Sequence, residues 1–573
     1  MSVLQFCLGR PSVRWIPWCA AILFCFWFIG PFVLDLRHHA EIDFYPPRPR
    51  PGRMYPPPPP PMPRPPNAGA PPSIWAERAH QVRLAFVHAY DGYWKYAHGY
   101  DELRPLTAGS VNNFNGWGVT LFDAIDTMWI MGVWGPYQDA VEFVAGAKFS
   151  MTDDEFAPFF ETVIRYLGGL LSAYALSGEE VFLSRADDLG RMLLPAFDTP
   201  SGFPMYAVNT ITGKTRPGWT GKALWAECLS NQVEFKYLAH LTGRPDFYHK
   251  SESAMSNIYA ANVSGVFPTM WDIGSGSPAN TQHSVGAYAD SAHEYLLKQW
   301  LLTSRTEPKV RSLYIESANA IINNLLYVTP KRHLLYVTDT SLGIASHKFE
   351  HLSCFLPGLL ALGAHTLGED ALSSRDRERH LFAAQGIGHT CWTTYNDMGT
   401  GLGPDEMMMA KWSPDGDGKW VRHLEEWEKQ GRLGEPPGVA EVQREAEWSE
   451  RDYTAMRPTY LLRPEAIESF YILWKTTGDE VWRERGYQIF QSIQKYARTE
   501  FGYASVGFVD SPIPTLRDEM PSYFLAETLK YLYLLFTDAD VLPLDKWVLN
   551  TEAHPLPVFD WHNWERKLYN ITT

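Results

Sequence analysis

Residues 168–178 read GGLLSAYALSG, and this short stretch shows the pattern that decides the fold. It is apolar over a helical length, and Gly178 closes it, which is the usual stop signal of a helix. The same pattern of an apolar helical stretch ending at a small-residue turn returns in four further segments: 233–243 (VEFKYLAHLTG), 295–303 (YLLKQWLLT), 469–478 (SFYILWKTTG) and 523–537 (YFLAETLKYLYLLFT).

The helical segments recur about every sixty to seventy residues, which is longer than a tetratricopeptide repeat and suits long helical hairpins. No strand pattern competes with them. We therefore expect residues 73–573 to form one all-α domain of hairpins that are stacked or closed into a ring. Residues 403–451 interrupt the pattern with charge-rich sequence containing Pro and Gly, so we expect a surface insertion there, with short helices of its own.

The N-terminal region has a different character from the rest of the chain. Residues 15–34 (WIPWCAAILFCFWFIGPFVL) carry no charge and are long enough for a helix to cross roughly 30 Å of hydrocarbon. A cleaved signal peptide is the alternative, but its apolar core would be shorter and would end at small residues. Arg10 and Arg14 precede the segment, so residues 1–14 are predicted to be a cytoplasmic tail and the bulk of the chain to be lumenal, in a type II arrangement.

Residues 35–72 are predicted to be a stem between this anchor and the helical domain. Residues 46–72 hold 15 of the 43 prolines, a composition that favours extended polyproline II and builds no core. A role as a Pro-rich ligand for an aromatic groove is the alternative interpretation.

Length, charge and cysteine content exclude several classes of protein. A chain of 573 residues is too long for a small disulfide scaffold, and a net charge of −15 disfavours nucleic acid as a partner. Outside the N-terminal region only three cysteines remain, Cys228, Cys354 and Cys391, which suggests one disulfide and one free thiol without saying which cysteines pair. Asn262 and Asn570 begin glycosylation sequons, which are usable if this part is lumenal.

The chemistry of the protein has to be sought among its acids, because the chain has no P-loop, no GxSxG elbow, no HExxH and no paired CxxC. Glu161 lies in FFETVIR, four residues before Arg165. This spacing fits a surface ion pair, but the apolar neighbours fit equally well a desolvated carboxyl with a raised pKa, which a general acid requires. His347 and His351 are also four residues apart, which is weak support for a zinc site.

Further carboxylates lie at helix starts or inside apolar helices. Glu465 follows a proline and falls in a first helical turn, where the helix dipole favours the anion that a general base needs, or simply complements the dipole. Asp290 is predicted to cap a helix. Buried acids such as Glu527 need a partner, and several that converge in one cavity would suit a hard cation with oxygen ligands, most plausibly Ca²⁺.

Several longer segments together resemble a known family. They are HGYDELRPLT (98–107), WGVTLFDAIDTMWIMGV (117–133), FETVIRYLGGLLSAYALSG (160–178), ADSAHEYLLKQW (289–300), HLSCFLPG (351–358), LLRPEAIES (461–469), FLAETLKYLYLLF (524–536) and NTEAHPLP (550–557). In their order and number they resemble class I α-mannosidases, glycoside hydrolase family 47. The resemblance implies an (α/α)7 barrel, a membrane-anchored secretory-pathway enzyme, one Ca²⁺, and inverting hydrolysis of terminal α-1,2-linked mannose from high-mannose N-glycans.

The resemblance also implies roles for the acids. Glu161 would be the general acid, Glu465 the base that activates water, and Asp290 a third catalytic carboxylate, with an acid role through water considered for it. Thr551 would give Ca²⁺ its hydroxyl and carbonyl oxygens.

Other matching residues would bind substrate or stabilise the fold. Arg165, Arg463, Glu468 and Glu527 would contact the sugar or its waters, as would Glu552, Tyr288 and Tyr523. Cys354 and Cys391 match the disulfide of the family.

Two positions depart from the family pattern. Tyr288 stands where the enzymes of the endoplasmic reticulum have Arg and Golgi members a smaller apolar residue, so we expect trimming of more than one mannose. Pro521 stands where an acid is usual, which alters a sugar subsite. The compartment, endoplasmic reticulum or Golgi, and the oligomeric state are left open. The alternatives are a glycan-binding quality-control factor of the same fold with little hydrolysis, and a membrane-tethered helical scaffold.

Overall fold

The computed structural model of the protein describes residues 73–412 and 418–571. The predicted cytoplasmic tail (1–14), transmembrane helix (15–34) and stem (35–72) lie outside these residues. Among the residues that are described, no helix combines the length and the apolar character needed to cross a membrane.

Helices make up most of the described chain. In chain order they are α1 (Ile74–Ala97), α2 (Val119–Met131), α3 (Trp134–Ala145), α4 (Gly168–Ser177), α5 (Glu180–Leu193), α6 (Trp225–Leu229), α7 (Gln232–Thr242), α8 (Pro245–Ala261), α9 (Asp290–Leu302), α10 (Pro308–Asn324), α11 (Leu356–Thr366), α12 (Ser374–Asn396), α13 (Trp420–Lys429), α14 (Glu465–Thr477), α15 (Val481–Tyr496), α16 (Leu529–Phe536) and α17 (Asn563–Tyr569). A one-turn helix, Phe159–Glu161, and a π-helix, Thr162–Leu167, lead into α4, and a second π-helix, Phe524–Thr528, leads into α16.

The long helices pack as seven pairs. Six pairs are consecutive hairpins: α2 with α3, α4 with α5, α7 with α8, α9 with α10, α11 with α12, and α14 with α15. The seventh pair joins the two ends of the domain, because α1 packs on α16. The hairpin pattern predicts the consecutive pairs, and the number of seven is what the family resemblance implies.

The first helices of the six hairpins, together with α16, form an inner ring. Helix α2 contacts α4, α4 contacts α7, and α7 contacts α9. Helix α11 contacts α14, and α14 contacts α16. The π-helix that precedes α16 contacts α2. Helices α9 and α11 both line a small internal cavity. The inner helices are buried nearly all round, as α4 is from Gly168 to Leu176, whereas α5 buries one face only.

The expectation that no strands occur in this domain is wrong in detail. Nineteen short strands lie between the helices of the described residues: Glu102–Arg104, Gly109–Val111, Ala157–Pro158, Ala207–Val208, Thr215–Arg216, Ala223–Leu224, Met270–Trp271, Gln282–His283, Leu326–Val328, Leu335–Val337, Thr340–Ser341, Ile344–Ala345, Lys348–Glu350, Glu406–Met409, Tyr453–Arg457, Ser505–Val506, Leu516–Arg517, Trp547–Leu549 and Pro555–Pro557, numbered β1 to β19. They pair antiparallel in sheets of two or three strands. Strands of two to five residues are too short to show a period of two in the sequence.

The segment 403–451 is built into the domain rather than only attached to its surface. Its strand β14 is the central strand of the sheet β13-β14-β15, with Phe349 opposite Met407. Its helix α13 buries Trp420 and Leu424. The predicted helical content is present, and the buried tryptophan anchors it to the core.

Two cysteines form a disulfide, Cys354–Cys391, which ties the 3-10 helix His351–Phe355 to α12. Cys228 is free and buried. The sequon residues Asn262 and Asn570 are both exposed and follow the last residue of a helix, α8 and α17.

Candidate active site

A cavity of about 200 Å³ opens among the inner helices, and acidic side chains dominate its wall. Ten residues that the sequence analysis singles out line this one cavity: Glu161, Arg165, Asp290, Arg463, Glu465, Glu468, Tyr523, Glu527, Thr551 and Glu552. Phe160, Ile164, Leu352 and Phe355 supply apolar wall. Residues spread over nearly 400 positions of sequence thus meet at one place.

Glu465 is held as an anion. It is the first residue of α14, and its carboxylate lies 2.8 Å from Nδ1 of His351 and 3.8 Å from Nη1 of Arg463. Burial alone would raise the pKa of Glu465, but the hydrogen bond from His351 and the charge of Arg463 outweigh burial and lower the pKa below its usual value. An ionised carboxylate beside a cavity is suited to accept a proton from water.

Asp290 has the opposite character. Burial raises its pKa to about 7, although the Ser291 N–H donates to its carboxylate at 2.8 Å, and the nearby charge of Glu465 adds to the rise. The predicted capping role is wrong: Asp290 is the first residue of α9 and its carboxylate bonds the adjacent N–H, not a later one in the turn. A carboxyl that stays protonated near neutral pH can donate a proton.

Glu161 is less buried than the desolvated acid considered from its sequence. Its side chain is 31% exposed and accepts from Nε of Arg165 at 2.8 Å, so the ion pair suggested by the spacing of four is present. Arg165 also pairs with Asp123 at 3.4 Å and with Glu552. One guanidinium therefore joins two carboxyls of the cavity wall, Glu161 and Glu552, to the buried Asp123.

Two π-helices contribute to the cavity wall. Thr162–Leu167 carries Arg165, and Phe524–Thr528 carries Glu527. Both pack on α2. A π-turn shifts the side-chain register within a helix and is frequent at functional sites. Sequence reasoning missed both segments, because their residues read as ordinary helix.

Arg165 connects the cavity to a fully buried network of charges that sequence reasoning also missed. His554 lies between Asp126 at 2.8 Å and Asp123 at 3.2 Å, and Nζ of Lys530 lies 2.9 Å from Asp126. Burial would raise the pKa of Asp126, but Lys530 and His554 lower it to about 2. The available signal was the presence of charged residues within apolar stretches.

The donor set of the cavity fits a hard cation. Thr551 donates its hydroxyl to Glu294 at 3.1 Å, in the loop that follows β18. Burial and repulsion between neighbouring carboxylates raise the pKa of Glu468 to about 8 and that of Glu527 well above its usual value, and burial raises the pKa of Glu552 to about 7. A hydroxyl and several carboxyls that converge on one cavity are the kind of oxygen donors that Ca²⁺ prefers.

Tyr288 is not part of this cavity wall. It lies two residues before Asp290 with φ of 78°, is 37% exposed, and its ring centroid is 6.4 Å from that of the exposed Trp219. Glu350 accepts the Ala287 N–H at 2.8 Å and so supports this loop. Trp219 was not identified from the sequence.

Two further residues that were predicted to contact the substrate, Tyr523 and Arg463, are held in place by other parts of the chain. The hydroxyl of Tyr523 donates to the Leu461 carbonyl at 2.7 Å. Nε of Arg463 donates to Asp405 at 2.7 Å. Asp405 belongs to the segment that the sequence suggested was peripheral, so that segment supports the site.

A ring of helical hairpins around a cavity in which two carboxyls have pKa values shifted in opposite directions is the arrangement of a glycoside hydrolase site. The chain belongs to glycosyl hydrolase family 47, whose sequence model matches residues 85–558.

Individual relatives agree with this family. The chain is 38% identical over 482 residues to the human endoplasmic reticulum mannosyl-oligosaccharide 1,2-alpha-mannosidase, covering 83% of this chain and 63% of that protein, slightly less than two thirds of its length. It is 34% identical over 491 residues to mannosyl-oligosaccharide alpha-1,2-mannosidase IA of Drosophila melanogaster, covering 84% and 67%. The solved structure of the alpha-1,2-mannosidase from Trichoderma reesei superimposes with a TM-score of 0.73 at 26% identity, covering 84% of this chain and 99% of that one.

Proposed function

We propose that this chain is a Ca²⁺-dependent, inverting α-1,2-mannosidase that removes terminal mannose from high-mannose N-glycans. The observation that carries the proposal is the pair Asp290 and Glu465, whose pKa values are shifted in opposite directions within one cavity. The sugar and its linkage are taken from the names of the relatives, all of which describe 1,2-mannosidases.

Glu465 acts as the general base in this proposal. A water molecule in the cavity gives a proton to the Glu465 carboxylate as its oxygen attacks the anomeric carbon of the mannose. His351 and Arg463 hold the carboxylate ionised and oriented for this step. Inversion requires room for the water, so we expect the base and the acid to lie roughly 6.5–9.5 Å apart in the substrate complex.

The proton for the leaving oxygen comes from the opposite side of the sugar. The family resemblance gives the acid role to Glu161, which is paired with Arg165 here. Asp290, in contrast, keeps a proton near neutral pH. We therefore assign the supply of the proton to Asp290, and to Glu161 the positioning of the leaving group together with Arg165.

Thr551 and the surrounding carboxylates Glu468, Glu527 and Glu552 would hold the Ca²⁺ and its waters. When bound, the ion would offset the negative charge of these carboxyls and orient the sugar hydroxyls. The side chains themselves exclude bulk water, since Glu527 and Glu552 are buried.

Branch preference is proposed to be broad, with more than one mannose removed. Tyr288 has no guanidinium to fix one branch by paired hydrogen bonds. With the exposed Trp219 it instead offers aromatic surface, against which sugars of different branches can pack.

We also propose that the protein is a type II membrane protein of the endoplasmic reticulum or Golgi, with the catalytic domain in the lumen. The uncharged stretch 15–34 after Arg10 and Arg14 supports an anchor of this orientation. Exposed sequons at Asn262 and Asn570 suit a lumenal domain.

The proposal is tested by time-resolved mass analysis of a nine-mannose N-glycan incubated with the full-length protein in Ca²⁺. We expect successive loss of hexoses, and a rate about 10²–10⁴-fold lower for Glu465→Gln. The matched control is Glu425→Gln, an exposed carboxyl on α13 outside the cavity, which should leave the rate unchanged.

Two results would contradict this assignment. Binding of the glycan without loss of hexose would identify a quality-control lectin instead, and a Glu465→Gln variant as fast as the wild type would show that another group activates the water. Polarimetry or NMR of the first product reports the anomer, and an α-anomer would exclude inversion.

A further inference from the structure

A second cluster of metal-binding side chains lies outside the catalytic cavity. His240 is in the last turn of α7, and His562 and Glu565 are at the start of α17. One ring nitrogen of each histidine and one carboxylate oxygen of Glu565 lie within 4.8 Å of one another. None of the three lines the cavity of the candidate active site.

The carboxylate of Glu565 is fully buried and already oriented. One of its oxygens accepts the His562 N–H at 2.6 Å, and the other lies 2.9 Å from Nδ1 of His240. A buried carboxylate is stable only beside positive charge or hydrogen-bond donors. A simple ion pair would satisfy it with a single imidazole, yet a second imidazole converges on the same point.

Both imidazole rings are held by their surroundings. His240 stacks on Phe559 at 4.1 Å and meets the edge of Trp561 at 6.0 Å. The ring of His562 lies beside that of His240, with the two centroids 5.3 Å apart, and stacks on Trp564 at 6.4 Å. These ring contacts limit how far either imidazole can rotate.

We propose that His240, His562 and Glu565 form a binding site for a transition-metal dication, of which Zn²⁺ is the expected one. Two imidazoles and one carboxylate are a donor set of zinc sites that keep a fourth position for water, and His562 places that position at the surface. Ca²⁺, which prefers oxygen ligands, is not expected to compete here. The ion would join the C-terminal helix α17 to the inner helix α7.

The full-length protein, freed of metal and kept in excess Ca²⁺ to fill the catalytic cavity, is titrated with Zn²⁺ by calorimetry, and with Co²⁺ by visible absorption. We expect one Zn²⁺ per chain, tetrahedral Co²⁺ bands, and a higher melting temperature with Zn²⁺. Binding should be at least tenfold weaker in His562→Ala, whose side chain is exposed, and in Glu565→Gln, which keeps the hydrogen bonds of the carboxyl. His80→Ala, an exposed histidine on α1, is the matched control.

No saturable Zn²⁺ binding to the wild type would overturn the proposal. Equal affinity and equal melting shift in wild type, His562→Ala and Glu565→Gln would also overturn it, because the bound ion would then lie elsewhere. His562→Ala keeps the test decisive if Glu565→Gln fails to fold, since the histidine ring lies at the surface.

Discussion

At the scale of single residues, the proton chemistry of the cavity depends on neighbours that are distant in sequence. Glu465 is kept ionised by His351, 114 positions earlier, and Nε2 of His351 lies 2.5 Å from the hydroxyl of Tyr395. Asp290 is kept protonated by burial and by the other carboxyls of the same wall. Opposite charge states of two identical functional groups therefore come from their surroundings.

These pKa shifts predict a bell-shaped dependence of kcat/KM on pH. The base must be ionised, so activity is lost as pH falls through the lowered pKa of Glu465; the acid must be protonated, so activity is lost as pH rises through about 7. Initial rates on a small α-1,2-linked mannoside between pH 4 and 9 measure both limbs. A profile flat from pH 6 to 9 would contradict the role given to Asp290.

The contact between His351 and Glu465 allows a separate test of the loss of activity at low pH. Replacing the histidine as His351→Ala removes a hydrogen-bond partner of the Glu465 carboxylate, so the pKa of Glu465 rises. A hydrogen bond to a charged group contributes about 1.5–3 kcal/mol, so we expect the acid limb to move up by about 1 pH unit or more. The alkaline limb should stay in place, and a uniform loss of activity without a shift would indicate a structural role only.

At the scale of helices and strands, the sequence predicted those elements that are long and whose start and stop signals lie close together in the chain. The helix that closes at Gly178 was visible because its apolar run and its stop signal are adjacent in sequence. The two-residue strands were not, since their pairing partners lie on other loops. The π-helix at Arg165 was not visible either, because its distinguishing feature is a backbone hydrogen-bond pattern.

The candidate site could be predicted only in part for the same reason. Local patterns marked Glu161, Asp290 and Glu465 as unusual, and the family resemblance supplied their roles. Local patterns left Asp290 as a cap and showed nothing of Trp219, because the contacts that distinguish them come from other elements.

The disulfide connects an element of the site to the outer layer. Cys354 lies in the 3-10 helix that begins with His351, and Cys391 lies in α12. Closing a loop with a sequence separation of 37 stabilises a folded chain by about 4 kcal/mol in the chain-entropy model. For Cys354→Ala/Cys391→Ala we therefore expect a free energy of unfolding lower by about that amount, measured in urea. Because His351 loses an anchor, we also expect it to lower the pKa of Glu465 less, so that activity at acid pH is lost at a higher pH. Unchanged stability would contradict this.

At the scale of the whole molecule, the ring is closed by contacts between chain segments hundreds of positions apart. Nζ of Lys530 bonds Asp126 on α2 and the Ala553 carbonyl at 2.7 Å, in the loop that carries Thr551. The same buried charges therefore join the first inner helix, the last inner helix and the loop proposed to bind Ca²⁺. The contacts that close the ring therefore also hold the loop of the proposed site.

Removing one of these charges should affect the whole domain. Lys530→Met leaves a buried carboxylate short of its cation, which typically costs about 3–5 kcal/mol. Urea unfolding should show a loss of this size, whereas Lys546→Met, at an exposed lysine, should change stability by less than about 0.5 kcal/mol. Asp126→Asn/Lys530→Met should recover part of the loss, and a single variant as stable as wild type would show that the network is dispensable.

Calcium should couple catalysis to stability because its proposed ligand lies at this junction. Thr551 contacts Glu294 on α9, while Glu527 precedes α16, so an ion held between them would bind the folded ring and not the unfolded chain. Ligand binding of this kind stabilises by about 2.7 kcal/mol at a hundredfold excess over Kd. Removal of Ca²⁺ with a chelator should abolish turnover and lower the melting temperature, and Ca²⁺ should restore both in the wild type but not in Thr551→Ala. Full turnover after verified removal of the metal would refute the calcium role and leave the carboxylate pair to act alone.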